Sequence, residues 1–264
     1  MTATQLIAAI KKKKELQGID DAVVERELQN VLTQHPSWND DLSKPRSAIY
    51  ALILKAVRAS LRRKYGLFRT ELLPPDLSPQ ELLSRHSSTK ERLPFYQAMY
   101  QSIFNITGKP ATILDLGCGL NPLSLPFMEL KKVNYFAYDI SKSEVDVLNK
   151  FFNSLPKNSL WKGKAQILDI TDVEKVLGLP IADICFLFKV TDIVDRGHGH
   201  KRSEELMKAI PSHWVIVSFP THTMSGKPMT APRRKWMEWM CARLGWSYAT
   251  FEFENEIVYV VRKS

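Results

Sequence analysis

The chain has 264 residues, room for one sizeable domain or two modest ones. Hydrophobic residues make up 44% and charged residues 25%, which excludes a disordered chain, and no apolar stretch approaches the ~18–20 residues of a transmembrane helix. The net charge of +9 is uneven: residues 1–43 carry five Lys/Arg against seven Asp/Glu, whereas residues 44–92 carry eleven against four, a basic segment that suits a polyanion such as nucleic acid.

In chain order, apolar periodicity predicts helices at about 4–17 and 20–33, then a clearer one from Arg46 to Lys64. In that third helix Ile49, Leu52, Ile53, Ala56, Val57 and Leu61 form the apolar stripe. Lys55, Arg58 and Arg62 line the opposite face, Pro45 precedes the helix and Gly66 ends it. Ser78-Pro79 reads as the cap and first turn of a further short helix. Near residue 110 the pattern changes. Short β-rich runs at 112–116, 133–138, 165–169, 182–188 and 213–219 alternate with helical stretches at 122–131, 141–153, 172–178 and 201–210. A helix at about 232–244 follows, then two strands of a terminal hairpin around Asn255. The expected fold is α/β: a mostly parallel, Rossmann-like sheet covered on both faces, with an antiparallel last strand, as in class I methyltransferases. An all-α N-terminal domain precedes it, and the expected division is 1–100 and 101–264.

The first strand, TILDL, runs into Gly117-Cys118-Gly119-Leu120-Asn121-Pro122. The glycines permit a tight turn and a close ligand approach. Asn121 and Pro122 read as the N-cap and first residue of the next helix. A dinucleotide fingerprint needs Gly or Ala where Pro122 stands, and no G-K-[ST] follows, so D-x-G-x-G from Asp115 to Gly119 points to S-adenosylmethionine (SAM) instead. Asp139 and Asp169 end the second and third strand runs; one could hold the ribose hydroxyls and the other the adenine amino group. Each, taken singly, could equally be a turn residue.

Several chemistries lack their residues. The fourth strand ends FLFKVTD, without the N-P-P-Y or D-P-P-Y of exocyclic-amine methylation. Cys185 and Cys241 lie in an apolar strand and a helix, and Cys118 lies in the glycine loop, so none reads as a nucleophile, and three scattered cysteines make no disulfide framework. His198-x-His200 has no third ligand nearby, so no metal is expected. At the N-terminus the apolar run precedes the lysines, the reverse of a secretory signal, so the expected compartment is the reducing cytosol. Nothing forces a dimer.

Four stretches combine to suggest a family: His86-Ser-Ser-Thr-Lys-Glu-Arg92-Leu, Gly117-Cys-Gly-Leu-Asn-Pro-Leu123, Phe188-Lys189 and Val217-Ser-Phe-Pro-Thr221. Together they resemble the aminoglycoside-resistance 16S rRNA (guanine-N7) methyltransferases that modify guanosine 1405. The resemblance extends over nearly the whole chain. It implies that Arg92 holds the SAM carboxylate, with His86, Ser87 and Ser88 lining the same end of the pocket. It implies further that Gly117 and Gly119 approach the methionine part, Asp139 the ribose, and Asp169 with Ile170 the adenine, with Phe188 also in the cofactor site. A plainer reading makes Ser88 and Glu91 a capping box, which leaves Arg92 free for its role. The N-terminal domain would dock on the assembled 30S subunit through Arg46, Lys55, Arg58, Arg62, Arg63, Lys64 and Arg69. The segment Thr221–Lys235 reads as a loop at the mouth of the site, with Lys227, Arg233 and Arg234 beside the RNA. Its sequence departs from the family pattern, as does Val190-Thr191-Asp192.

The implied reaction is direct methyl transfer to guanine N7, which has a lone pair and no proton, so positioning suffices and no catalytic residue is assigned. Phe219 and Trp236 are candidates for stacking on a flipped base, and equally for core packing. The alternatives are a SAM enzyme acting on a decoding-site adenine, a tRNA or a small molecule, a non-catalytic RNA-binding module, and a nicotinamide oxidoreductase. Pro122 and the basic N-terminal region speak against the last.

Overall fold

The computed structural model describes residues 3–65, 77–195, 199–223 and 227–264. Three helices come first, α1 (Ala3–Ile10), α2 (Asp21–Gln34) and α3 (Ala48–Tyr65). The helix expected at 4–17 breaks after Ile10 and resumes only as a 3-10 turn at Lys14–Leu16. Asp20 caps α2 by accepting from the Ala22 amide at 2.9 Å. The third helix starts two residues later than expected, because the Ser47 hydroxyl accepts from the Tyr50 amide at 2.9 Å and leaves Pro45 and Arg46 in the preceding turn. Its buried stripe is Tyr50, Ile53, Val57 and Leu61; Leu52 faces outward at 46% exposure. Gly66 lies outside the described residues.

Next come α4 (Pro79–Arg85), α5 (Ser87–Arg92) and α6 (Tyr96–Thr107). Ser78 caps α4 as expected, in a reciprocal capping box with Glu81. The box expected at Ser88 and Glu91 is absent, because α5 already starts at Ser87 with His86 at its cap position.

The strands are β1 (Thr112–Leu116), β2 (Val133–Asp139), β3 (Trp161–Ile167), β4 (Ala182–Phe188), β5 (Ser212–Pro220), β6 (Ser247–Phe253) and β7 (Glu256–Arg262). The intervening helices are α7 (Lys142–Ser154), α8 (Val173–Leu177), α9 (Thr191–Asp195), α10 (Lys201–Ala209) and α11 (Lys235–Leu244). The sheet order is β3-β2-β1-β4-β5-β7-β6, with β1 to β5 parallel and β7 antiparallel to both neighbours. This is the class I methyltransferase sheet. The third strand starts four residues and ends two residues earlier than expected: Lys162 and Lys164 look polar for a strand, but β3 is an edge and exposes them to solvent.

Alternation divides the inner strands between two cores. Ile113, Ile184, Phe186 and Val258 enter one layer, and Leu114, Leu116, Cys185, Leu187 and Tyr259 enter the other. Burial on both faces is why these strands read as continuous apolar runs. Buried residues of α4 and α6 share the first layer, whereas those of α1 to α3 form a separate core from Leu6 to Leu61. The two cores thus part before α4, within the stretch 1–100. Among the described residues no helix is long and apolar enough to cross a membrane.

Candidate functional site: the crevice at the strand ends

The strand order reverses between β1 and β4, and an open α/β sheet binds ligands outside the C-terminal ends of its strands at such a point. The glycine loop lies there. Gly117 and Gly119 have φ of 66° and 51°, a left-handed backbone that glycine adopts without strain. A Cβ on Gly117 would lie 2.6 Å from Val190 Cγ1, and one on Gly119 would lie 3.4 Å from the His86 ring. The Gly117 and Cys118 amides both donate to the Tyr138 carbonyl, at 2.8 and 3.1 Å, which folds the loop onto the end of β2.

Asp139 ends β2. Its Oδ2 accepts from the Gly119 amide at 2.9 Å and its Oδ1 from the Ser141 amide at 2.9 Å, so it joins the glycine loop to the start of α7. Asp169 lies two residues beyond β3 rather than at its end. Its Oδ1 accepts from the Thr171 amide and hydroxyl at 2.8 and 2.6 Å, and Arg26 of α2 pairs with its Oδ2. Ile170 is half-buried and reaches to 3.7 Å from a Cβ on Gly117. Val190, from the segment that departs from the family pattern, packs against Gly117.

Asp115 and Asn121 have other duties than those expected. Asp115 is buried behind the loop, where its Oδ2 accepts from Tyr135 at 2.6 Å and from Asn121 at 2.9 Å. Burial pushes its carboxyl up to about 6, and the two hydrogen bonds only partly oppose that. Asn121 is not the N-cap, a position held by Leu120; its Oδ1 accepts from Tyr96 at 3.1 Å and Tyr100 at 3.3 Å. The segment after it, Asn121–Met128, is a 3-10 helix interrupted by Pro126 rather than the α-helix expected at 122–131. Burial also raises the Tyr100 and Tyr135 phenols well above their usual range.

On the β4 side, Arg92 is 2% exposed. Its Nε donates to both Glu256 carboxylate oxygens at 3.0 and 2.9 Å, its Nη2 lies 2.8 Å from Oε1, and its guanidinium lies 4.7 Å from the centre of the Phe188 ring. Arg92 is therefore bonded to Glu256 and fixed in plane, and Phe188 is a buried wall beneath it. Lys189, in the left-handed region at φ 58°, reaches Glu91 at 2.6 Å and Glu256 at 3.3 Å. Burial by itself would raise the Glu256 carboxyl, but Arg92 and Lys189 more than offset it and hold it below its usual range. His86 borders the loop, half-buried; Ser88 is half-buried and Ser87 exposed.

The expected RNA-facing cations divide. Arg46, Lys55, Lys227 and Arg233 are exposed, and Arg233 pairs with Glu238 at 2.8 Å. Three others have partners within the protein. Arg58 donates to the carbonyls of Ile10 and Ala9 at 3.1 and 2.6 Å and so closes the end of α1, and Arg62 pairs with Glu15 at 2.5 Å. Arg234 donates to the Pro232 and Pro220 carbonyls, with its guanidinium 4.9 Å from the Phe219 ring centre. The side chains of Arg63 and Lys64, and all of Arg69, lie outside the described residues. So does His198, while His200 stacks on Trp236 at 4.2 Å and bonds to Asp195 at 3.0 Å. Phe219 is fully buried and cannot stack on a base. Trp236 is half-buried, and its Nε1 and the Thr191 hydroxyl are buried without a hydrogen-bond partner among the described residues.

Sequence reasoning missed Glu256 and Arg26. A glutamate opening the apolar run EIVYVV was a usable signal, since an acid there is either exposed or paired. Arg26 gave none, because its partners are 143 and 146 residues away.

A family model described as Ribosomal RNA methyltransferase (FmrO) matches residues 22–260. The 16S rRNA (guanine(1405)-N(7))-methyltransferase of Frankia casuarinae is 30% identical over 181 residues, 67% of this chain and 61% of that protein. The protein of the same description from Micromonospora echinospora is 29% identical over 235 residues, 86% of this chain and 75% of that one. The chain spans less than two thirds of the length of the first curated relatives it matches. Among solved structures, that of the 16S rRNA methylase RmtB is similar in fold over 100% of this chain and 99% of that one, with a TM-score of 0.72 and 22% identity.

Proposed function

The chain belongs to the ribosomal RNA methyltransferase (FmrO) family, and from that premise we propose that it methylates N7 of guanosine 1405 in 16S rRNA of the assembled 30S subunit, using SAM, and so confers aminoglycoside resistance. The observation that carries the reading is the family match over residues 22–260, whose relatives carry that activity in their description. The crevice suits SAM: its glycine loop holds a left-handed backbone at Gly117 and Gly119, with no room for a Cβ at Gly117, and acids at the β2 and β3 ends flank it. The reaction belongs in the cytoplasm, where 30S subunits are.

In this reading Asp139 holds the ribose, Asp169 and Ile170 the adenine, and Gly117 and Gly119 the methionine part. Arg92, fixed by Glu256, faces the carboxylate together with His86, Ser87 and Ser88. SAM supplies an electrophilic methyl group and guanine N7 the lone pair that takes it, so no side chain has to remove a proton. The protein's task is then positioning. Trp236 of α11, which packs edge-on against Phe219 of β5, and Thr191, at the start of α9, each hold a buried polar atom with no hydrogen-bond partner among the described residues. The exposed cations Arg46, Lys55, Lys227 and Arg233 would contact phosphates, and the N-terminal region that carries the first two would recognise rRNA by shape.

The test uses methyl-labelled SAM with intact 30S subunits and naked 16S rRNA in parallel. N7-methylguanosine at position 1405, on 30S only, is the expected result. Label on an adenine, on tRNA or on neither RNA overturns the assignment.

A further inference from the structure

The helical N-terminal region touches the crevice beside both acids assigned to the cofactor. Residues 18–20 run alongside the segment that follows Asp139: the Asp20 amide donates to Ile140 at 3.1 Å and the Lys142 amide to Gly18 at 3.0 Å. A Cβ on Gly18 would lie 2.9 Å from Ser143 Oγ, so glycine permits this approach. From the next turns of α2, Arg26 reaches across to the β3 end. Its Nη2 pairs with Asp169 Oδ2 and its Nη1 lies 3.4 Å from Asp172 Oδ2. Asp172 is itself held by Lys175 at 2.8 Å.

Asp169 thus has one oxygen fixed by Thr171 and the other by Arg26. Two points of attachment fix the plane of a carboxylate. An acceptor for an exocyclic amino group needs such a plane, because hydrogen bonds weaken steeply with angle. The Arg26 side chain is about a third exposed while Asp169 is buried, so the arginine comes in from outside the sheet domain.

We propose that Arg26 is a positioning residue of the adenine subsite: from the N-terminal helical region it holds the Asp169 carboxylate in the orientation that accepts the adenine 6-amino group of SAM. The inference rests on the reading of Asp169 given above. It makes the region assigned to ribosome docking part of the cofactor site.

The experiment measures, by calorimetry on the full chain, the affinity of S-adenosylhomocysteine and of its analogue with purine in place of adenine, which lacks the amino group. Wild type should prefer the amino form about tenfold or more, as expected for a hydrogen bond to a charged acceptor. In R26Q that preference should collapse toward parity by loss of affinity for the amino form only, and R26K should recover part of it. Equal weakening of both ligands in R26Q, or an unchanged preference, overturns the role of Arg26. D169A separates the two layers. If D169A keeps the preference, Asp169 does not read adenine and the site assignment itself fails. If D169A abolishes it while R26Q keeps it, only the present inference fails.

Discussion

Two buried carboxylates sit on either side of the crevice and answer burial in opposite ways. Asp115, under the glycine loop, has neutral partners, Tyr135 and Asn121, and its carboxyl rises to about 6. Glu256, at the start of β7, has cationic partners, Arg92 and Lys189, and its carboxyl falls below the usual range. Burial is nearly equal for the two. The charge of the partner therefore decides the direction of the shift, and hydrogen bonds from neutral groups do not offset burial here. The acid beneath the loop takes up its proton more readily than a free carboxyl, whereas the wall depends on an ion pair.

The largest test removes the wall's anion. E256A leaves the Arg92 guanidinium buried without its carboxylate, and stability in urea should fall by about 3–5 kcal/mol. R92A combined with E256A should cost less than the sum of the two single changes, a coupling that a double-mutant cycle reads directly.

The second test is pH. The native state holds the Asp115 proton more tightly than the unfolded chain, so this group makes wild-type stability decline as pH rises from about 4 to about 6, by roughly 2–3 kcal/mol. D115N should remove that decline in urea titrations across the window. Glu256 has the opposite sign: its stabilisation is present above its unfolded value of 4.5 and is lost as pH falls through its lower folded value. A D115N protein that still loses stability between pH 4 and 6 would show that another group carries the effect.

The loop between the two acids comes third. Gly117→Ala imposes a left-handed backbone on a residue with a Cβ, about 1–2 kcal/mol, and presses on Val190. Thermal unfolding and S-adenosylhomocysteine affinity should fall together.

The smallest effects separate the cations of α3. R62A removes a partly exposed ion pair with Glu15 and should cost at most about 1 kcal/mol of stability. K55E should leave stability within about 0.5 kcal/mol of wild type while weakening 30S binding in a salt-dependent manner. If K55E left 30S binding unchanged, the docking face would lie elsewhere.

Much of the architecture was legible because its signals are local. β1 and β4 were read to the residue, and α2, α7 and α10 to within one or two, since apolar period and capping residues act over a few positions. β3 was displaced because Lys162 and Lys164 are tolerated only on an edge, and edge position is not a local property. Asn121 was misread for a related reason. Asparagine before proline is good capping chemistry, yet Tyr96 and Tyr100 draw its side chain inward.

The same division runs through the site. By itself the sequence determined the order of strands and helices, the glycine turn and the presence of Asp139 beside it, because backbone conformation and burial pattern are written in neighbouring residues. Only the tertiary structure decided which cations are available. Arg58 and Arg62 lie on the same helix face as Lys55, but Ala9, Ile10 and Glu15 take their donors. Only it brought Glu256 to Arg92 across 164 residues and Arg26 to Asp169 across 143. A charge does not choose its partner locally: desolvation and distance choose it, and both exist only once the chain has folded.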